Sequence, residues 1–163
     1  MKIKILALAI ITVLSVSVVQ AQKSMFDKLS DQKDITTVYI SKSLIKLMPD
    51  IDTGGADIKG LAGKLDQIEI YSSNSNKSAA KIIRDEIATM VKSKTYETLM
   101  KIKDQGNDVT FYAFKEMDRI KDLVMFVNQP EECTIIRIMG NFTTEDIQKV
   151  MEGTEMNKDK KKK

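Results

Sequence analysis

The 163-residue chain has no histidine, no tryptophan and a single cysteine, Cys133. Without histidine it lacks the commonest general base and the commonest metal ligand. A catalytic nucleophile would have to rely on Lys, Asp or Glu as its base. One cysteine excludes an internal disulfide. Glu131 and Glu132 precede Cys133, and neighbouring carboxylates disfavour a reactive thiolate. Cys133 therefore reads as a small buried apolar residue in a strand, with an intermolecular disulfide as the alternative. No Gly-rich phosphate loop joins a strand to a helix. Adjacent acids such as Glu131/Glu132 and Glu145/Asp146 are ordinary at turns and helix starts. No catalytic set, metal site or cofactor is expected, and the chain does not read as an enzyme.

Long apolar runs are also scarce, with one exception at the start. Lys2 and Lys4 precede an apolar run from Ile5 to Val19, and Gln20-Ala21 follows. A basic start, an apolar stretch and small residues at a cut site form a secretory signal. The run of about 15 residues is short for a membrane span, which needs roughly 20. Residues 1–21 are therefore expected to be removed, leaving no stable membrane span. The protein is expected to be exported, to the periplasm or beyond. No cysteine stands just after the run, where a lipid would be attached, so a lipid anchor is not expected.

The net charge of +3 is concentrated at the ends. Lys2 and Lys4 lie in the leader, and residues 154–163 carry five lysines against Glu155 and Asp159. Residues 22–153 are left at about −2, by the same count. The basic tail reads as a solvated end that could be drawn to acidic polymers or headgroups.

Along the mature chain, residues 22–35 form a polar segment with Phe26 and Leu29 as packing points. Residues 36–41, Thr-Thr-Val-Tyr-Ile-Ser, read as a strand. Leu44, Ile45, Leu47 and Met48 suggest a short helix that stops before Pro49. Residues 50–63 hold four of the seven glycines and read as a flexible connection. Within them, Asp50, Asp52 and Asp57 resemble a calcium loop only in part, because Gly54 and Leu61 stand where ligands should be.

Leu65 to Tyr71 alternates as a strand, and Ser72 to Asn76 can cap a helix. Over 77–94, Ala80, Ile83, Ile87, Met90 and Val91 recur at helical spacing. Tyr96–Lys103 and Val109–Lys115 read as strands around the turn Asp104-Gln105-Gly106-Asn107-Asp108. Asp118 is expected to cap a helix carrying Ile120, Leu123, Val124 and Val127. Thr134–Gly140 reads as a strand, and Thr143 or Thr144 caps a last helix.

Residues 65–140 thus read β-α-β-β-α-β, the order of the ferredoxin-like unit. The expected class is α+β, a ferredoxin-like βαββαβ core with an antiparallel sheet. An N-terminal strand-helix addition and a C-terminal helix complete a single domain over 36–153.

Alternation divides the sheet's side chains between two faces. Ile68, Ile70, Met100, Ile102, Val109, Phe111, Ala113, Ile136 and Ile138 are expected under the helices. Glu69, Tyr71, Leu99, Lys101, Tyr112, Phe114, Ile135, Arg137 and Met139 are left for an open face that is unusually apolar. The candidate binding residues are Tyr71, Leu99, Tyr112, Phe114, Ile135, Arg137 and Met139. Occupants to weigh are an envelope protein, a second copy, a small apolar ligand between the N-terminal segment and the sheet, or simply residues 22–48 folded over it. The aromatic strand 109–115 has a faint RNA-binding look. Asn107-Asp108 replaces the basic opening that such strands use, so no nucleic acid is expected. Asn76-Lys77-Ser78 and Asn141-Phe142-Thr143 match the glycosylation pattern.

The signal peptide, Leu65-Asp-Gln-Ile-Glu-Ile70, Tyr96-Glu-Thr-Leu-Met100 with its Asp-Gln-Gly-Asn-Asp turn, and Ile135–Gly140 with the helix after it carry a resemblance. The mature chain, most clearly 60–151, resembles the bacterial family known as domain of unknown function 4252. That resemblance implies a place in the Bacteroidetes cell envelope, and in many members a lipid anchor, whose accepting cysteine this chain does not have after its apolar run. It implies no activity and transfers no site residues. The reading is an exported, non-enzymatic interaction module, with a periplasmic carrier or sensor of a small apolar ligand as the alternative.

Overall fold

A computed structural model describes residues 24–47 and 63–148. The leader at 1–21, Met48, most of the glycine-rich connection and the basic tail lie outside the described residues. The elements are α1 (Met25–Ser30), β1 (Thr36–Ser41), α2 (Lys42–Leu47), β2 (Leu65–Ser72), α3 (Lys77–Lys92), β3 (Glu97–Asp104), β4 (Asn107–Glu116), β5 (Arg119–Asn128) and β6 (Cys133–Phe142). Residues 144–148 are helical.

The six strands form one sheet in the order β1-β2-β6-β5-β4-β3. Every neighbouring pair is antiparallel. From β3 to β6 the chain is a meander. Four antiparallel steps separate β2 from β3, so these two strands run the same way, and α3 is the crossover that carries the chain between them.

Two corrections to the sequence reading follow. The helix expected after Asp118 is the strand β5, so the βαββαβ order does not hold. Instead β2-α3 leads into four consecutive strands. The spacing of Ile120, Leu123, Val124 and Val127 suggested a helix because β5 is buried on both faces. Val124 and Phe126 face one core, while Leu123 and Met125 face the other. A strand with two buried faces loses its alternation, and a short apolar run then fits either structure.

The second correction concerns which face the long helix covers. α3 buries Ala79, Ala80, Ile83, Ile87 and Met90 against Tyr71, Tyr112, Val124, Phe126 and Ile135. This is the face expected to be open. The opposite face, with Ile68, Phe111, Leu123, Met125, Ile136 and Ile138, packs with Ile45 of α2 and with Ile147. Val91, expected on the buried stripe of α3, is exposed.

The turns behave as their residues require. Gln105 and Gly106 both have positive φ, +48° and +90°, which a two-residue hairpin needs in order to match strand twist. Asn76 caps α3 by accepting hydrogen bonds from the Ser78 and Ala79 N–H groups, so its sequon has a structural use. α1 opens with a capping box between Ser24 and Asp27.

β6 ends in a tight join to the start of β2. A Cβ on Gly140 would lie 2.3 Å from the Lys64 carbonyl oxygen and 2.4 Å from the Phe142 ring. The Asn141 N–H donates to the same carbonyl. Beside it, Lys64 Nζ donates to both carboxylate oxygens of Asp146, at 2.7 and 2.6 Å. Asp146 also accepts from the Thr143 N–H, while Thr143 Oγ1 accepts from the Asp146 N–H. The C-terminal helix start is thereby clamped to β2.

Replacing Gly140 with Ala should cost about 1–3 kcal/mol of unfolding free energy, the usual range for overpacking; an unchanged urea midpoint would contradict this. Lys64, followed by the Thr143 N–H, holds the Asp146 carboxyl at about 2, below its ordinary 3.8. A depressed carboxylate adds stability that is present above its unfolded value and lost as pH falls through its folded value. The stability gap between wild type and Asp146→Asn should therefore shrink between about pH 4 and pH 2, as measured by paired thermal melts.

Candidate functional site

Six of the seven residues chosen from sequence share one face, but that face is covered. Tyr71, Ile135 and Tyr112 are buried beneath α3 and α1. Phe114 is half-buried with its ring 6.0 Å from that of Tyr96. Met139 is half-buried and lies in register with Gln67 and Asp122. The seventh residue, Leu99, sits at a bulge where the β3–β4 register shifts between Thr98 and Met100, and packs with the opposite core. The aromatic strand 109–115 is likewise closed, with Phe111 and Tyr112 buried in different cores.

The covered face is organised around Arg137. Its Nε donates to Asp122 Oδ2 at 2.7 Å, and its Nη1 donates to Glu69 Oε2 at 3.0 Å. Tyr96 donates to the same Asp122 oxygen and Tyr71 to the same Glu69 oxygen, each at 2.8 Å. The Phe26 ring of α1 lies 3.8 Å from the guanidinium carbon and 5.9 Å from the Tyr71 ring. Phe26 thus fills the place between N-terminal segment and sheet where a small apolar ligand was expected. Of the segment 22–48 expected to cover this face, α1 does so, whereas β1 joins the sheet and α2 packs on the opposite face.

The electrostatics are those of a closed cluster. Burial opposes the Arg137 charge, yet Asp122 and Glu69 hold its pKa above the ordinary value. Burial, then the nearby carboxylates, pushes both tyrosine hydroxyls above their usual range. Burial also pushes the Asp122 carboxyl up, against the pull of Arg137, and Asp122 Oδ1 has no hydrogen-bond partner. The carboxylates are committed to Arg137 and the tyrosines to the carboxylates, so the cluster binds α1, β2, β5 and β6 together. Cys133 is fully buried, and burial raises its thiol pKa.

The accessible apolar surface lies elsewhere. Val38 and Tyr39 of β1 are 42% and 60% exposed, and Leu44 and Leu47 of α2 are 41% and 79% exposed. They lie at one edge of the sheet. The two edges differ in kind. β3 carries Glu97, Lys101, Lys103 and Asp104 and is bulged at Leu99, which are devices that discourage further pairing. β1 has no charged residue and no proline from Thr36 to Ser41, and its pairing with β2 runs without a shift. Sequence reasoning identified the strand but not its position at the edge. The signal was the uncharged run 36–41 followed by Leu44 and Leu47.

A family model described as Domain of unknown function (DUF4252) matches residues 14–150. The chain belongs to this family. Its span takes in β1 and α2 as well as the Arg137 cluster, so both features lie within the family domain. No curated protein and no solved structure matches the chain. Among the described residues no helix is long and apolar enough to cross a membrane.

Replacing Arg137 with Met should strand two carboxylates in a largely buried site and cost about 3–5 kcal/mol. Chemical denaturation tests this, and a loss below about 1 kcal/mol, the scale of a solvent-exposed pair, would show that the cluster is not a structural hub.

Proposed function

We propose that this DUF4252 chain is an exported cell-envelope domain that acts as a non-enzymatic interaction module, and that its contact surface is the β1–α2 edge. The observation that carries this is the grouping of Val38, Tyr39, Leu44 and Leu47, four exposed large hydrophobic residues on one uncharged edge strand and the helix after it. Exposed apolar side chains gathered on an edge strand, on both of its faces, and on the helix after it favour a partner. An unblunted strand edge offers main-chain hydrogen bonds in addition. The leader-like residues 1–21 support export. The Arg137 cluster is turned inward beneath α1 and α3, which points to the exposed edge rather than this face as the contact surface.

The face named from sequence is not the surface proposed. A charge placed at Tyr112 would enter the core rather than a binding site. The Tyr39→Glu/Leu47→Glu double variant should keep the wild-type melting temperature within a few degrees, because both side chains already face solvent. It should also weaken capture of envelope partners by about tenfold or more, the scale of a hot-spot loss. Equal capture by wild type and variant would remove this edge from consideration.

A further inference from the structure

We propose that the occupant of the β1 edge is a second copy of this chain, its β1 paired antiparallel to the first about a twofold axis at Val38. The proposal rests on the reading of this edge as the contact surface and names its partner. Three observations lead to it.

The first is the asymmetry of the edges. The β3 edge is protected by charge and a bulge, whereas β1 presents Thr36–Ser41 with no charge and an unshifted register. Among the described residues only the β1 edge lacks such protection, so growth stops at two copies. Pairing one isologous edge gives a closed dimer, whereas two open edges would give a filament.

The second is that β1 is self-complementary when read backwards. A twofold axis normal to the sheet keeps each face on its own side. Val38 and Ile40 lie in register with Ile70 and Ile68, and Thr37 and Tyr39 with Tyr71 and Glu69. About Val38, Val38 meets its own copy, Thr37 meets Tyr39, and Thr36 meets Ile40. Each pairing joins side chains of the same face, as an antiparallel ladder demands. The two sheets become one continuous sheet, with apolar side chains on one side and Thr–Tyr contacts on the other.

The third is charge. Asp31, Lys33 and Asp34 precede β1, and Lys42 and Lys46 follow it. Antiparallel pairing brings the turn before β1, which carries Asp31, Lys33 and Asp34, near the end of the other copy's strand, where Lys42 opens α2, twice by symmetry. A parallel pairing would set Lys42 beside Lys42. Lys42 already meets Asp66 at 2.6 Å, and both side chains remain about half exposed, so Lys42 can be shared with a second carboxylate. Each α2, with exposed Leu44 and Leu47, then stands next to the Asp34 end of the other copy's strand.

The test is sedimentation of the full chain across concentrations up to about 100 µM, a hundredfold above a micromolar Kd. Wild type is expected to sediment as a dimer. Val38→Lys places a charge at the axis and should make the chain monomeric with unchanged circular dichroism. Asp34→Lys should raise the dimer Kd by about tenfold, and Asp34→Lys/Lys42→Asp should restore it, which no general loss of folding can mimic. A monomer at every concentration, or a dimer indifferent to both Val38→Lys and the charge swap, overturns the proposal. If the chain is monomeric but the Tyr39→Glu/Leu47→Glu variant still loses envelope capture, the edge remains a contact surface and only self-pairing fails. If capture is also unchanged, both readings fall.

Discussion

One guanidinium at the middle of the sheet holds this architecture together. Arg137 projects from β6 toward carboxylates on the strands at either side, Glu69 on β2 and Asp122 on β5. Two tyrosine hydroxyls complete those carboxylates, and a phenylalanine from α1 closes the top. Removing such a charge from water is costly and is offset only when its partners are fixed. The packing of α1, the placement of Tyr96 just before β3 and the burial of Asp122 all follow from supplying those partners.

The same arrangement explains why one surface is sealed and another is left open. α3 crosses from β2 to the far side of the sheet and buries the Arg137 face beneath it. β1 is added outside β2, beyond the residues packed beneath α3. Its Val38 and Tyr39 are 42% and 60% exposed, although their types suit a strand interior. Val38 and Tyr39 are therefore apolar or aromatic where burial within the chain does not require it. That mismatch between residue type and position is the feature that the functional reading rests on.

Much of the fold was legible in the sequence. β1 was bounded residue for residue by its β-branched run, and α3 was placed at its start by an apolar stripe behind a polar capping turn, though it ends at Lys92 rather than 94. The hairpin at Gln105-Gly106 was legible because its turn needs residues that tolerate positive φ. β5 was not, because both its faces are buried and its apolar run lost period two. Alternation correctly separated the two faces but could not say which one receives the helix, since both are apolar. Arg137 was placed on a surface because its partners come from strands far away in sequence. The β1 edge was missed for the same reason, as exposure there depends on strand order. Leu99 was assigned to the wrong face by a bulge that the residues themselves do not announce.

The pairing of β2 with β6 sets residue 70 against residue 136 and joins Glu69 to Arg137. The two strands that flank the central charge, β2 and β5, are thus separated in the chain by α3, β3 and β4. A fragment cut between β2 and β5 separates Glu69 from Asp122 and Arg137 and divides both hydrophobic cores. No sub-segment is self-sufficient in such a layout. The two cores are coupled through β2, β4, β5 and β6, each of which lines both.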